Sequence, residues 1–347
     1  MNGITLPPRR RARKSARVIS NTDDTLLRRL SEKVIGQEQA MRAIVPCVRM
    51  YEAGLGPEGR PAGVFLLLGP TGTGKTRTVE ALAEVLHGSR RNLLRIDCGE
   101  YQLDHEVAKL IGAPPGYLGH RETHPVLTQA RLASIGSEHS SLSIVLFDEI
   151  EKAAPSMTRL LLGVLDKASL RLGDNNVVNF ERTMIFMTSN VGAHRMQREL
   201  SPGLGFAVER PSADDTAGRL EAVAMRAARK TFSPEFLNRL DGAIAYQPLT
   251  AAALESILDL QLQDLQNHIC SRLGANGFYV EVTSRVRQYL LEQGSSSEYG
   301  AREIRRAVHR VVAQRVAALV VEGRTRPGAT VKIDLPEPGG DLQLKVA

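Results

Sequence analysis

Gly69-Pro70-Thr71-Gly72-Thr73-Gly74-Lys75-Thr76 follows the apolar run Gly63–Leu68 and leads into a helical pattern. It fits G-x-x-x-x-G-K-[ST], and a strand before with a helix after is the setting in which such a loop binds phosphate. Gly69, Gly72 and Gly74, with Thr71 and Thr73 between and beside them, let backbone N–H groups close on phosphate oxygens. The N-terminus of the following helix adds positive potential. Lys75 is placed to neutralise the β- and γ-phosphates, and the Thr76 hydroxyl to join a Mg²⁺ shell.

A second chemical half-site lies downstream. Ile144-Val145-Leu146-Phe147 runs into two carboxylates, Asp148 and Glu149. Acids at the C-terminal end of a buried strand sit beside a phosphate loop of the same sheet. Asp148 can hold Mg²⁺ through water, and Glu149 can orient and deprotonate an attacking water. An acidic helix start would look the same in isolation. With the phosphate loop upstream, the pair implies hydrolysis of ATP or GTP.

Two further clusters call for an explanation. Gly112-Ala-Pro-Pro-Gly-Tyr117-Leu118-Gly119 sets an aromatic and an aliphatic side chain among glycines and prolines. Such a segment reads as a surface loop, where burial does not account for Tyr117 and Leu118. His120 and His124 are four apart, but Pro125 is adjacent and no third ligand is evident, so a metal pair is not expected there.

The elements that must position these residues follow from the apolar pattern. Gly63–Leu68, Leu93–Ile96, Ser143–Phe147, Thr183–Met187 and Ala243–Tyr246 are short and apolar without alternation, as strands buried on both faces are. Helical patterns lie between them; Val79, Leu82, Ala83 and Leu86 share a face, and Gly88 closes that helix. The fold class expected is α/β, a parallel sheet sandwiched by helices. After Gln247-Pro248 the style changes. Thr250 caps a long helix to about Leu273, Phe278–Val282 and Ala329–Leu335 read as strands, and Thr283–Gln293 and Ala301–Val321 as helices. This predicts a smaller, mainly helical α+β domain over 247–347, after a large domain over 22–246 and a disordered basic tail over 1–21. Ile304, Val308, Val311, Val312 and Val316 form a stripe expected to be core.

Composition narrows the class. With 42% hydrophobic and 24% charged residues, the 347-residue chain has a globular profile. No apolar run approaches bilayer length, and the acids at Asp23 and Asp24 stand where a signal peptide needs apolar residues. A cytoplasmic protein is expected. Cys47, Cys98 and Cys270 lack paired spacing and read as reduced core fillers. The net charge is +7, but Arg9, Arg10, Arg11, Arg13, Lys14 and Arg17 supply six of those charges, which leaves +1 for the rest. The basic character is a tail, able to meet nucleic acid or an acidic partner, rather than a face of a folded domain.

Taken together, VIGQ (34–37), GPTGTGKT, GAPPGYLG, LFDEIEKA (146–153), MTSN (187–190), SPEFLNRLD (233–241) and YGAR (299–302) occur in an order that resembles the second ATPase module of Clp-type AAA+ protein unfoldases. The resemblance spans about Leu30 to the C-terminus. It implies ATP with Mg²⁺, held by Thr76 and Asp148, as the cofactors, and it puts Val34 and Ile35 against the nucleotide. Asn190 corresponds to sensor 1, Arg302 to sensor 2 and Arg239 to an arginine finger acting on the neighbouring subunit, which makes a hexameric ring the expected assembly. Tyr117 and Leu118 would then line a pore and grip polypeptide. Leu204-Gly205-Phe206 is similar to the tripeptide by which some members dock a barrel peptidase. The segment from His120 to Ser141 departs from the acidic, glycine-rich family pattern. Two rival functions remain open at this point: a nucleotide-dependent scaffold that assembles a partner, and a nucleic-acid motor. The near-neutral body argues against the second.

Overall fold

The computed structural model describes residues 25–112, 125–200, 213–294, 300–336 and 342–346. Tyr117, Leu118, His120, His124, Leu204-Gly205-Phe206 and the basic tail lie outside them.

The chain opens with α1 (Thr25–Ser31) and α2 (Glu38–Glu52), then β1 (Gly63–Leu68), α3 (Lys75–His87), β2 (Leu94–Asp97), α4 (Asp104–Ile111) and α5 (Gln129–Ile135). Next come β3 (Ser143–Asp148), α6 (Pro155–Lys167), a hairpin of β4 (Ser169–Arg171) and β5 (Val177–Asn179), and β6 (Thr183–Ser189). Helices α7 (Ala193–Leu200), α8 (Ala213–Thr231) and α9 (Pro234–Leu237) precede β7 (Gly242–Ala245). Five strands form one parallel sheet in the order β2-β3-β6-β1-β7. Alternate residues serve its two faces. Val64, Leu66, Val145, Phe147 and Ile185 join one core, and Phe65, Leu67, Ile144, Leu146 and Phe186 join the other. Because helices cover both faces, every residue of β1, β3 and β6 is buried.

The C-terminal domain has its own core, drawn from Leu258 to Leu335. It begins with α10 (Ala251–Leu273), whose N-terminus is capped by Thr250: the Ala253 N–H donates to Thr250 Oγ1 at 3.2 Å. There follow β8 (Tyr279–Val282), α11 (Ser284–Gly294), α12 (Ala301–Val308), α13 (Gln314–Val321), β9 (Thr330–Asp334) and β10 (Gln343–Val346). The expected single helix over 301–321 contains a π-helical segment, His309–Ala313. The wider turn keeps Val311 and Val312 both buried with Ile304, Val308 and Val316. One expectation fails: of the cysteines only Cys98 is buried, Cys47 being half-buried and Cys270 exposed on α10.

Candidate active site

Strand β1, between β6 and β7, delivers the chain to Gly69. Gly69, Gly72 and Gly74 take φ of +143°, +79° and +104°, conformations strained for any other residue. At Gly69 a Cβ would also lie 2.8 Å from the Tyr246 carbonyl oxygen on the end of β7. Lys75 opens α3 with its ammonium curled back over the loop. Nζ donates to the carbonyls of Gly69 at 2.6 Å and Pro70 at 2.8 Å, and to Asn190 Oδ1 at 3.0 Å. Burial pushes the Lys75 pKa down to about 8; nearby Glu151 opposes this and Arg302 reinforces it.

Strand β3, separated from β1 by β6, supplies the acids. Asp148 Oδ1 accepts from the Thr188 hydroxyl and Oδ2 from Arg95 Nη2 at 2.5 Å. Glu149 sits at φ 57°, ψ 51°, a left-handed conformation for a residue with a side chain. Three contacts hold it there: its N–H donates to Thr188 Oγ1 at 3.0 Å, Oε1 accepts from Asn190 Nδ2 at 3.1 Å, and Oε2 pairs with Lys152 Nζ at 2.5 Å. Asn190 thereby bridges the lysine and the glutamate. Its own N–H donates to Glu151 Oε1 at 2.9 Å.

The C-terminal domain closes the cleft. Gly300 precedes α12, and the Ala301 N–H donates to the Gly72 carbonyl at 3.2 Å, which brings Arg302 to the loop. Val34, Ile35, Leu249, Ile257 and Leu260 form an apolar end suited to a flat base. Buried Gln37 ties this end together: Nε2 donates to the carbonyls of Thr73 at 3.0 Å and Gln247 at 2.8 Å, and Oε1 accepts from the Gln247 N–H at 3.2 Å.

One cleft of about 300 Å³ is thus lined by Val34, Ile35, Thr71, Gly72, Thr73, Gly74, Lys75, Thr76, Asp148, Glu149, Asn190 and Arg302. Gly69 contributes its carbonyl to Lys75. Among the described residues no three His, Cys, Asp or Glu side chains stand together as a metal site. The donors present, one carboxylate at Asp148 and the Thr76 hydroxyl, suit Mg²⁺, which needs few protein ligands when a substrate phosphate completes its shell. Arg239 stands apart from the cleft, after α9, where Nε pairs with Asp166 at 3.3 Å and Nη2 with Glu235 at 3.4 Å. Sequence reasoning missed Arg95, Thr188, Glu151 and the clamp role of Gln37; each acts through a partner far away in sequence.

Residues 60–243 match the family model described as "AAA domain (Cdc48 subfamily)", and residues 249–333 the one described as "C-terminal, D2-small domain, of ClpB protein". The chain belongs to the Clp-type AAA+ ATPases. It is 38% identical over 306 residues to chaperone protein ClpB of Rhodopirellula baltica, covering 88% of this chain and 32% of that one. It is 37% identical over 314 residues to the ATP-dependent Clp protease ATP-binding subunit ClpC of Staphylococcus saprophyticus, covering 90% and 36%. A closed-state cryo-EM reconstruction of Hsp104 with ATPyS and FITC casein superposes with a TM-score of 0.75 at 26% identity, over 95% of this chain and 53% of that one. The chain spans about a third of the length of these curated relatives.

Proposed function

We propose that this chain hydrolyses ATP within a hexameric ring and converts the cycle into pulling on polypeptide. The observation that carries the reading is the convergence of Lys75, Asp148, Glu149 and Asn190 from one domain with Arg302 from the other across a single cleft. A nucleotide held between two domains links its phosphate state to their relative position.

The residues divide the labour. Lys75 and the loop N–H groups bind the phosphates, and the apolar end takes the base. Thr76 and Asp148 would hold Mg²⁺, whose contribution when bound is to neutralise phosphate charge. Glu149, fixed by Asn190, accepts the proton of the attacking water. Arg302 ties the C-terminal domain to the phosphates. Arg239, outside its own cleft, is available to a neighbouring subunit. The names of the relatives ClpB and ClpC and the casein complex of Hsp104 support a polypeptide as the load. Tyr117 and Leu118 suit that load chemically, since a flat aromatic and a branched aliphatic side chain contact any sequence. Leu204-Gly205-Phe206 is the segment we assign to docking a peptidase ring.

The test is ATP turnover by the purified chain alone, with casein and with single-stranded DNA, for wild type and Tyr117→Ala. Stimulation by casein that Tyr117→Ala abolishes is the expected result. Stimulation by DNA, or indifference to casein and to the substitution, would overturn the threading reading and leave the ATPase intact.

A further inference from the structure

Arg95 lies on β2, the edge strand, in register with Leu146 of β3, two residue pairs before Asp97 and Asp148 and so on the same face as both. With Arg95 on Oδ2 and Thr188 on Oδ1, protein donors occupy both oxygens of the carboxylate assigned above to Mg²⁺. The two partners differ in kind. Thr188 is buried and neutral, so its bond can persist beside a cation and fix the carboxylate plane. Arg95 carries a full charge, and a guanidinium and a hydrated dication repel each other at one carboxylate.

Arg95 also has somewhere to go. Its side chain is 50% exposed against 11% for Asp148, so the arginine is the partner free to move. It lines the nucleotide cleft and also a second cleft, of about 420 Å³, between the segment leading into β2, the β2 edge and α5, which Leu93, Val126, Ile135, Arg91 and Arg131 line as well. A third cation beside Arg91 and Arg131 is disfavoured there, so the side chain tends back to Asp148 whenever that carboxylate is free.

We propose that Arg95 is a positioning residue with two places. It pairs with Asp148 while the cation is absent, and it turns to the second cleft when Mg²⁺ arrives with nucleotide. Mg²⁺ must therefore compete for its acid, and after turnover Arg95 recaptures Asp148 and favours release of the cation. This rests on the ATP reading above and adds a determinant of Mg²⁺ affinity that the reading does not need.

The test is equilibrium binding of a fluorescent ATP analogue to the full chain, titrated with MgCl₂ and repeated in EDTA. In Arg95→Gln the half-saturating Mg²⁺ concentration should fall about fivefold, the worth of a half-exposed ion pair. Affinity in EDTA should stay within about twofold of wild type, because the arginine then faces the acid and not the phosphates. Arg95→Lys, which keeps the charge and loses the planar fork, should fall between the two and serves alone if the glutamine variant does not fold. An unchanged Mg²⁺ midpoint overturns the proposal. So does a loss of affinity in EDTA, which would make Arg95 a phosphate ligand. A wild type that binds no nucleotide fells the ATP reading and this one together; either of the other results fells only this one.

Discussion

Lys75 shows what a buried cation costs and what it gains in return. In the free protein its ammonium is satisfied by two loop carbonyls and Asn190, yet burial still pulls its pKa from the ordinary 10.5 to about 8. Below pH 8 the charge is present, as the proposed contact with phosphate requires. As pH rises through 8 the free protein loses it, and binding must then be accompanied by proton uptake. ATP affinity should fall with pH above about 8, by at most about tenfold per unit, as isothermal titration at pH 7, 8 and 9 would read. Proton uptake on binding should appear in the same range; a flat profile would mean that the lysine does not meet the phosphates. The sign for the fold is opposite. A lysine with a depressed folded pKa binds fewer protons than in the unfolded chain, so its penalty is full below pH 8 and fades toward 10.5. Glu149 tests the other half of the site. Glu149→Gln keeps the size and the bond from Asn190 but removes the base, so ATP binding should persist while turnover drops about 100-fold or more.

At the scale of elements, the site depends on two joints between domains. Gly300 sits at φ +51°, ψ −138°, and a Cβ there would stand 3.0 Å from the Gly72 carbonyl oxygen. Gly300→Ala should push α12 off the phosphate loop. It should weaken ATP binding about tenfold while the three cores still melt cooperatively, since the strain is local. Gln37→Ala leaves the Thr73 and Gln247 carbonyls and the Gln247 N–H without their partner, a loss of about 1–3 kcal/mol that thermal unfolding would register. How much of this was legible in the sequence depends on range. The parallel strands were readable because burial on both faces writes an uninterrupted apolar run, and β1 falls on the residues that the run marks. Ser143–Asp148 extends one residue past the apolar run because Asp148 pairs in register with Asp97 of β2, a polar continuation that hydropathy does not signal. β10 and the β4–β5 hairpin are short and half exposed, so they leave no apolar mark. That Lys75 and Asp148 share a cleft was readable from motif chemistry, and that Asn190 joins them followed from the family resemblance. Arg95 and Thr188 were not readable, because their tie to Asp148 exists only once β3 lies between β2 and β6.

At the scale of the whole molecule, the arrangement of Arg239 is the decisive one. Its guanidinium is committed to Asp166 and Glu235 on the surface of its own chain, and the cleft it is proposed to serve is another subunit's. A finger supplied in trans makes each active site the joint property of two chains. Arg239→Ala should then bind ATP as wild type does but turn over about 1000-fold more slowly. Glu149→Gln should be idle as well, for the opposite reason, since its arginine is intact and its base is gone. Mixing the two separates a trans role from a structural one. In mixed rings some Arg239→Ala subunits, with intact glutamates, meet the arginine of a Glu149→Gln neighbour, so activity should rise well above that of either variant alone. It should also depend on total protein concentration, because the shared site exists only on assembly. If the mixture stays idle while both variants still assemble, Arg239 serves the packing of its own α9 and the site is complete within one chain. In that case turnover per chain would be independent of concentration, and coordination between subunits would have to come from the nucleotide-driven motion of the two domains alone.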